Sequence, residues 1–122
     1  MELVVFDLDG TLLNRDSVIS EYTRETLRLL DERDIAYTVA TGRTLHGARA
    51  ILEGHSFQLP QAYKNGVMIW HPDSKRISSG ATLTPDELNS VVRACLGQAV
   101  TPFVFTLDDD DEITVYHPPV LS

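Results

Sequence analysis

Three short apolar runs alternate with helical patterns in the first half of this chain, and each run ends in small or polar residues. The runs predicted as strands span Leu3 to Asp7, Ala36 to Ala40 and Gln61 to Lys64. Strands that alternate with helices predict right-handed crossovers and therefore an α/β fold with a doubly wound parallel sheet. The first run is continuously apolar, which is typical of a parallel strand covered on both faces.

Two helices are predicted between these strands. Ser20 and Thr44 stand where the N-caps belong, at the start of SEYTRETLRLLDERD and of TLHGARAILEG. In the first helix we expect one stripe to face the core, made of Tyr22, Thr26, Leu29 and Leu30. After the third strand, VMIWHPDSKRIS has the pattern of a hairpin that turns around Pro72, Asp73 and Ser74.

The pattern changes after Gly80 to one helix followed by two strands. Thr84 is the predicted N-cap, Pro85 takes the first helical position, and Glu87 completes a capping box. The strands TPFVFTL and EITVYH follow. We therefore expect residues 1–80 to form the N-terminal half of an α/β core, and residues 81–122 to begin a second, α+β module.

The net charge and the cysteine content indicate which ligands and which cell compartment to expect. The 122 residues carry a net charge of −8, so no basic surface for nucleic acid or for an anionic membrane is expected. The single Cys95 cannot form an internal disulfide, and strand-like sequence begins too early for a signal peptide. No apolar stretch is long enough to span a bilayer. The sequence predicts a soluble cytoplasmic protein.

Asp7 and Asp9 stand at the end of the first apolar run, just before Gly10. In open parallel α/β sheets, ligands bind beyond the carboxyl ends of the strands. The other two predicted strands also end in polar or small residues, namely Thr41-Gly42-Arg43 and Asn65-Gly66. These side chains are expected to meet at one edge of the sheet.

Two interpretations of the paired carboxylates fail on the sequence. A calcium loop of the EF-hand type needs glycine at position 6, but Gly10 is the fourth residue from Asp7. A dinucleotide site needs G-x-G-x-x-G, which is missing from the first turn, and two carboxylates would repel a pyrophosphate. A turn with solvated acids and phosphoryl transfer through a carboxylate nucleophile remain open.

Three segments resemble a known family. FDLDGTLL resembles the first signature, D-x-D-G-T, of the haloacid dehalogenase superfamily, and VATGR resembles its second signature. KNGV resembles the N-G-A segment of the Cof-type, sugar-phosphatase-like branch, which carries a large C2-type cap. The resemblance implies a Mg²⁺-dependent phosphatase that acts on small phosphate monoesters, such as sugar or cofactor phosphates.

The resemblance also assigns roles to residues. It implies that Asp7 is the nucleophile, forming an aspartyl-phosphate, and that Asp9 is the general acid and base. Asp7 through its side chain and Asp9 through its carbonyl are the implied Mg²⁺ ligands. The implied contacts to the phosphoryl group and substrate come from the backbone N–H groups of Leu8 and Asp9 in the turn at Gly10, from Thr41 and Gly42, and from Arg43 and Asn65 at the rim. Two alternatives stay open: Arg43 pairs with a surface acid, and Asn65-Gly66 is only a turn.

Two family signatures, a late Lys and an acidic G-D-x-x-N-D-like turn, do not occur in this chain. The chain is therefore expected to be the first part of such an enzyme and inactive by itself. The alternative function is a non-catalytic half-domain that self-associates or pairs with a partner chain. A small phosphorylated metabolite is the expected ligand, and uncovered sheet edges make a homo-oligomer possible.

Overall fold

The computed structural model describes residues 2–80 and 82–117, and the chain divides into two compact units, Met1–Gly80 and Ala81–Ser122. The first unit contains β1 (Leu3–Phe6), α1 (Glu21–Glu32), β2 (Ala36–Val39), α2 (Leu45–Leu52), β3 (Gln61–Tyr63), β4 (Met68–His71) and β5 (Arg76–Ser79). The second contains α3 (Pro85–Gly97), β6 (Val104–Leu107) and β7 (Ile113–Tyr116).

The first three strands lie side by side in the order β1, β2, β3. β1 and β2 are parallel along their whole length, with Leu3 opposite Ala36. β3 is three residues long and joins β2 through a single parallel bridge between Ala40 and Ala62. The predicted adjacency is confirmed, although Lys64 belongs to the turn after β3 and not to the strand.

β3 also begins an antiparallel meander. It pairs with β4, and β4 pairs with β5, with Trp70 opposite both Gln61 and Ile77. The turn between β4 and β5 covers residues 72–75, as the hairpin pattern predicted. The first unit therefore combines a parallel edge, where ligands of α/β folds bind, with an antiparallel extension.

The predicted helix caps are confirmed. The Ser20 side chain accepts a hydrogen bond from the backbone N–H of Thr23 at 3.2 Å, and the Thr44 side chain accepts one from Gly47 at 2.9 Å. Each cap satisfies one of the N–H groups that a helix start leaves without a partner. The cap at Thr44 fixes the point where the chain leaves the carboxyl edge of β2 and enters α2.

The predicted stripe of α1 is wrong by one position. Tyr22 is 82% exposed and Leu29 is 49% exposed, whereas Leu27 is buried. Leu27 lies four residues after Thr23 and three before Leu30, and both of these are half-buried. The helix is therefore rotated by about one residue, roughly 100°, so that Leu27 lies at the centre of the contact.

The sequence of β1 predicted a strand covered on both faces, but one face of β1 is exposed. Val4 and Phe6 are half-buried, but Leu3 and Val5 on the opposite face are 55% and 53% exposed. Within the described residues β1 pairs only with β2, which leaves its second edge unpaired. β1 therefore has two apolar faces, and the described part of the chain covers only one of them.

The second unit follows its predicted pattern. Thr84 and Glu87 form the complete capping box, and Pro85 occupies the first turn of α3. β6 and β7 form an antiparallel hairpin. Leu88, Val92 and Cys95 of α3 are half-buried, and none of the described residues of α3 is fully buried. Among the described residues of both units, no helix has the length and apolar character needed to cross a membrane.

Candidate active site

The carboxyl ends of β1, β2 and β3 meet at one edge of the first unit. The backbone N–H of Ala40 donates to the carbonyl of Phe6 at 2.9 Å, so Asp7 and Thr41 follow adjacent points of the two strands. The turn after β3 is bonded to the segment after β2. There the N–H of Lys64 donates to the Arg43 carbonyl at 2.9 Å, and that of Asn65 donates to the Thr41 carbonyl at 3.0 Å.

The turn after β1 is shaped by Asp7 and Gly10. The Asp7 carboxylate accepts a hydrogen bond through Oδ1 from the backbone N–H of Leu8 at 2.8 Å. Gly10 has a φ of +76°, in the left-handed region that residues with a side chain rarely adopt. The turn closes when the N–H of Leu12 donates to the Asp7 carbonyl at 3.2 Å.

The Leu8 N–H was expected to face a phosphoryl group, but here it donates to Asp7. Leu8 itself is fully buried, which anchors the turn in the core, whereas Asp7 is exposed. Among the described residues, the other carboxylate oxygen of Asp7, Oδ2, has no hydrogen-bond partner. The backbone thus holds one carboxylate oxygen of the exposed Asp7.

Asp9 and Arg43 form a two-point ion pair across the edge. The Arg43 Nε donates to Oδ2 of Asp9 at 2.8 Å, and Nη2 donates to Oδ1 at 2.7 Å. The Asp9 side chain is 55% exposed and that of Arg43 is 32% exposed. The hydrogen bonds from Arg43 lower the pKa of Asp9, and the same contact raises the pKa of Arg43. Asp9 is therefore ionised near neutral pH.

Thr41, Gly42 and Asn65 pack against each other beside this pair. Thr41 is buried, and its hydroxyl oxygen accepts a hydrogen bond from the Arg43 N–H at 3.1 Å, which leaves its own proton free to donate. A Cβ placed on Gly42 would lie 3.0 Å from Oδ1 of Asn65, so a larger residue would push the amide away. Asn65 has a φ of +56°, a region that Asn tolerates better than most residues.

The structure thus brings the predicted site residues of all three strand ends to one edge. Two of these residues, Asp9 and Arg43, form an ion pair. The sequence did not identify Asp9 as the partner of Arg43. A signal was present, because opposite charges that follow the ends of two adjacent parallel strands, three residues beyond β1 and four beyond β2, can reach each other. Among the described residues, no cluster of three or more His, Cys, Asp or Glu side chains is placed to hold a metal ion. Asp7 and Asp9 supply the acidic oxygens at this edge.

Comparison with known proteins identifies the family. The model of the haloacid dehalogenase-like hydrolases matches residues 4–119, nearly the whole chain. The chain belongs to this family of hydrolases. The phosphatase YwtE of Bacillus subtilis, which acts on 5-amino-6-(5-phospho-D-ribitylamino)uracil, is 31% identical over 108 residues, covering 88% of this chain and 37% of YwtE.

Two further proteins agree with this assignment. The HMP-PP phosphatase of Shigella flexneri serotype 5b is 58% identical over 67 residues, covering 55% of this chain and 25% of that enzyme. A solved haloacid dehalogenase-like hydrolase from B. subtilis superposes with a TM-score of 0.75 at 23% identity, over 98% of this chain and 40% of its own. The structural likeness confirms the α/β fold class. This chain of the hydrolase family spans well under half the length of these relatives.

Proposed function

We infer that this chain supplies the nucleophile and the acid–base residue of a phosphatase that cleaves small phosphate monoesters. One observation carries the inference: the turn after β1, with Asp7 and Asp9, shares an edge with Thr41, Arg43 and Asn65. Family membership supports a phosphatase over a turn with merely solvated acids.

In the proposed reaction, Oδ2 of Asp7 attacks phosphorus while the bond to the leaving oxygen breaks. Asp9 donates a proton to that oxygen, which yields the free alcohol and an aspartyl-phosphate. A water molecule then attacks phosphorus, and Asp9 takes its proton. The bond between phosphorus and Asp7 breaks, which releases phosphate and restores both carboxyl groups. The Thr41 hydroxyl is free to donate to a phosphoryl oxygen at this edge.

Mg²⁺ is the proposed cofactor, because the donors at this edge are oxygens. The Asp7 carboxylate and the Asp9 carbonyl are the proposed ligands, and Mg²⁺ commonly keeps several waters beside one or two carboxylates. When bound, the ion offsets the repulsion between the phosphoryl group and the two Asp side chains. We expect weak binding to this chain alone, since two protein ligands leave most of the shell to water.

The ion pair between Arg43 and Asp9 affects the protonation that the proposed mechanism requires of Asp9. Asp9 must be protonated to donate to the leaving oxygen, but hydrogen bonds from Arg43 favour its ionised form and lower its pKa. A substrate phosphate that draws Arg43 away from Asp9 would raise the pKa of Asp9 toward its ordinary value. Arg43 is thus proposed to hold Asp9 until an anion arrives, and then to contact that anion at the rim.

The proposed substrates are small phosphorylated metabolites, in keeping with the compounds named for the relatives. The activity can be tested in a chimera in which this chain replaces the corresponding part of the phosphatase YwtE, with which it aligns over 88% of its length. With Mg²⁺ and p-nitrophenyl phosphate, we expect turnover that falls by several orders of magnitude in Asp7→Asn. The matched control is Asp16→Asn, an exposed acid in the loop before α1.

The Asp16→Asn chimera should keep its activity, and circular dichroism should show the same fold in all three proteins. Turnover in Asp7→Asn that equals the unsubstituted chimera would contradict the proposed function, as would a folded chimera without activity.

A further inference from the structure

A cleft of about 410 Å³ lies along one side of α2 and shares no residue with the Asp7–Asn65 edge. Its floor is apolar, with Leu45 and Leu52 from α2 and Tyr63 from β3, all buried. Trp70 of β4 also lines it, opposite Gln61 in the strand pairing. The volume falls in the range of clefts that bind small molecules, about 300–1,000 Å³.

A positively charged side chain lies against the aromatic wall of the cleft. The guanidinium carbon of Arg49 lies 5.6 Å from the centroid of the Trp70 ring, a cation–π distance. A guanidinium both stacks on aromatic rings and forms two-point hydrogen bonds with carboxylate or phosphate. Arg49 and Trp70 together therefore present a flat surface and an anion-binding group in the same place.

The charge around the cleft is opposite to that of the whole protein. Arg49 and Lys75 line it with one acid, Glu53, although the chain has a net charge of −8. In the part of the chain that the structure describes, neither Arg49 nor Lys75 belongs to an ion pair. Burial lowers the pKa of His55, which also lines the cleft, so His55 is neutral near pH 7.

A buried polar pair stands in the wall below these groups. The Tyr63 hydroxyl donates to Oε1 of Gln61 at 2.6 Å, and both residues are more than nine-tenths buried. Burial raises the pKa of Tyr63 to about 12, so its hydroxyl keeps the proton that it donates. This bond fixes the carboxamide of Gln61 and leaves its NH₂ group as a donor at the wall of the cleft.

We propose that this cleft binds a small planar aromatic anion, with the ring against Trp70 and its carboxylate or phosphate held by Arg49 and Lys75. The ring would replace water on the apolar floor, and the anion would give the two unpaired cations a partner. Either feature alone would bind weakly, since the cleft is open and the cations are exposed.

The test uses the sole tryptophan of the chain, because Trp70 gives a single indole N–H signal in an NMR spectrum of the ¹⁵N-labelled protein. The probes are 2-naphthoate and 2-naphthyl phosphate, with neutral 2-naphthalenemethanol and ring-free acetate as controls. We expect both aromatic anions to shift the Trp70 signal saturably, the neutral compound to bind about tenfold more weakly, and acetate to cause no shift.

Variants separate this site from general attraction of anions. Arg49→Gln and Lys75→Gln should each weaken 2-naphthoate binding about tenfold. Arg33→Gln, which removes the same charge from the exposed end of α1, should leave binding unchanged. The proposal is overturned if the Trp70 signal does not shift, if the neutral and anionic probes bind equally, or if Arg33→Gln is as harmful as Arg49→Gln. Whether the carboxylate or the phosphate probe binds more tightly identifies the preferred anion.

Discussion

At the scale of single residues, the most consequential contact is that between Asp9 and Arg43. It joins two segments that are 34 residues apart in sequence, and it stabilises the ionised form of the proposed acid. The side chains are partly exposed, so the pair adds little to stability, in line with other surface ion pairs. Its effect is on the chemistry of Asp9.

The first prediction concerns that effect. In Arg43→Gln, the pKa of Asp9 should rise toward the ordinary value of about 3.9, because the hydrogen bonds that favour its charged form are lost. A ¹³C NMR titration of the Asp9 carboxyl carbon in the full chain measures this directly. Arg15→Gln, an exposed loop residue, is the control and should not change that pKa. An unchanged pKa in Arg43→Gln would mean that the pair does not form in solution.

The second prediction concerns His55. Its imidazole lies 2.5 Å from the Tyr37 hydroxyl, which donates to Asp31, and burial lowers the pKa of His55 below the ordinary value of about 6.5. The unfolded chain therefore binds a proton near pH 6 that the folded chain does not. The free energy of unfolding should fall as the pH drops through about 6.5 and below.

Urea unfolding at pH 7 and pH 5 measures this dependence. His55→Gln should remove the part of the pH dependence that comes from this residue, whereas His46→Gln, an exposed residue of α2, should keep it. A pH dependence that is the same in both variants would rule out His55 as its source.

At the scale of elements, local signals in the sequence predicted helix starts better than helix faces. The caps at Ser20, Thr44 and Thr84 depend on a few adjacent residues, and all three are confirmed. The face of α1 was wrong because Leu27 and Leu29 are equally apolar, and only packing against the sheet decides which is buried.

The third prediction uses the capping box of α3. Thr84→Ala removes the hydroxyl that accepts the N–H of Glu87 at 3.2 Å, and should destabilise the second unit by about 1 kcal/mol. The measurement is urea unfolding followed by helical circular dichroism. Ser90→Ala inside the same helix makes no cap contact and should cost nothing, since Ala favours helices. Equal effects of the two substitutions would contradict a role for the cap.

At the scale of the whole molecule, the order of strands and the edge where the site lies were predictable from sequence. Both follow from the alternation of strands and helices and from the polar residues that end each strand. The partner of Arg43 and the exposure of Leu3 and Val5 were not predictable, because they depend on side-chain reach and on which elements cover each face. The cleft beside Trp70 was not predicted either. It is formed where α2, β3 and β4 pack together, and no pattern in the sequence indicates that packing.

The fourth prediction concerns the open side of β1. The exposed face at Leu3 and Val5 and the unpaired edge, as seen in the described residues, favour pairing with a second copy. Sedimentation velocity should show dimers or larger species that dissociate on dilution. The double variant Leu3→Thr and Val5→Thr should weaken this association, whereas Tyr22→Ser, an exposed apolar residue of α1, should not. A monomer at all concentrations would contradict the prediction.

The central claim is that Asp7 is the nucleophile of a phosphatase site, and trapping its phosphorylated form is the most direct test. In the chimera described above, Asp9→Asn should slow hydrolysis of the intermediate, so that phosphoenzyme accumulates with substrate and Mg²⁺ present. Borohydride reduces an acyl phosphate to an alcohol, which converts a phosphorylated Asp to homoserine. Peptide mass spectrometry should then find homoserine at position 7, and not at Asp9 or Asp16. Label at another residue, or none in a chimera that turns over substrate, would contradict the account.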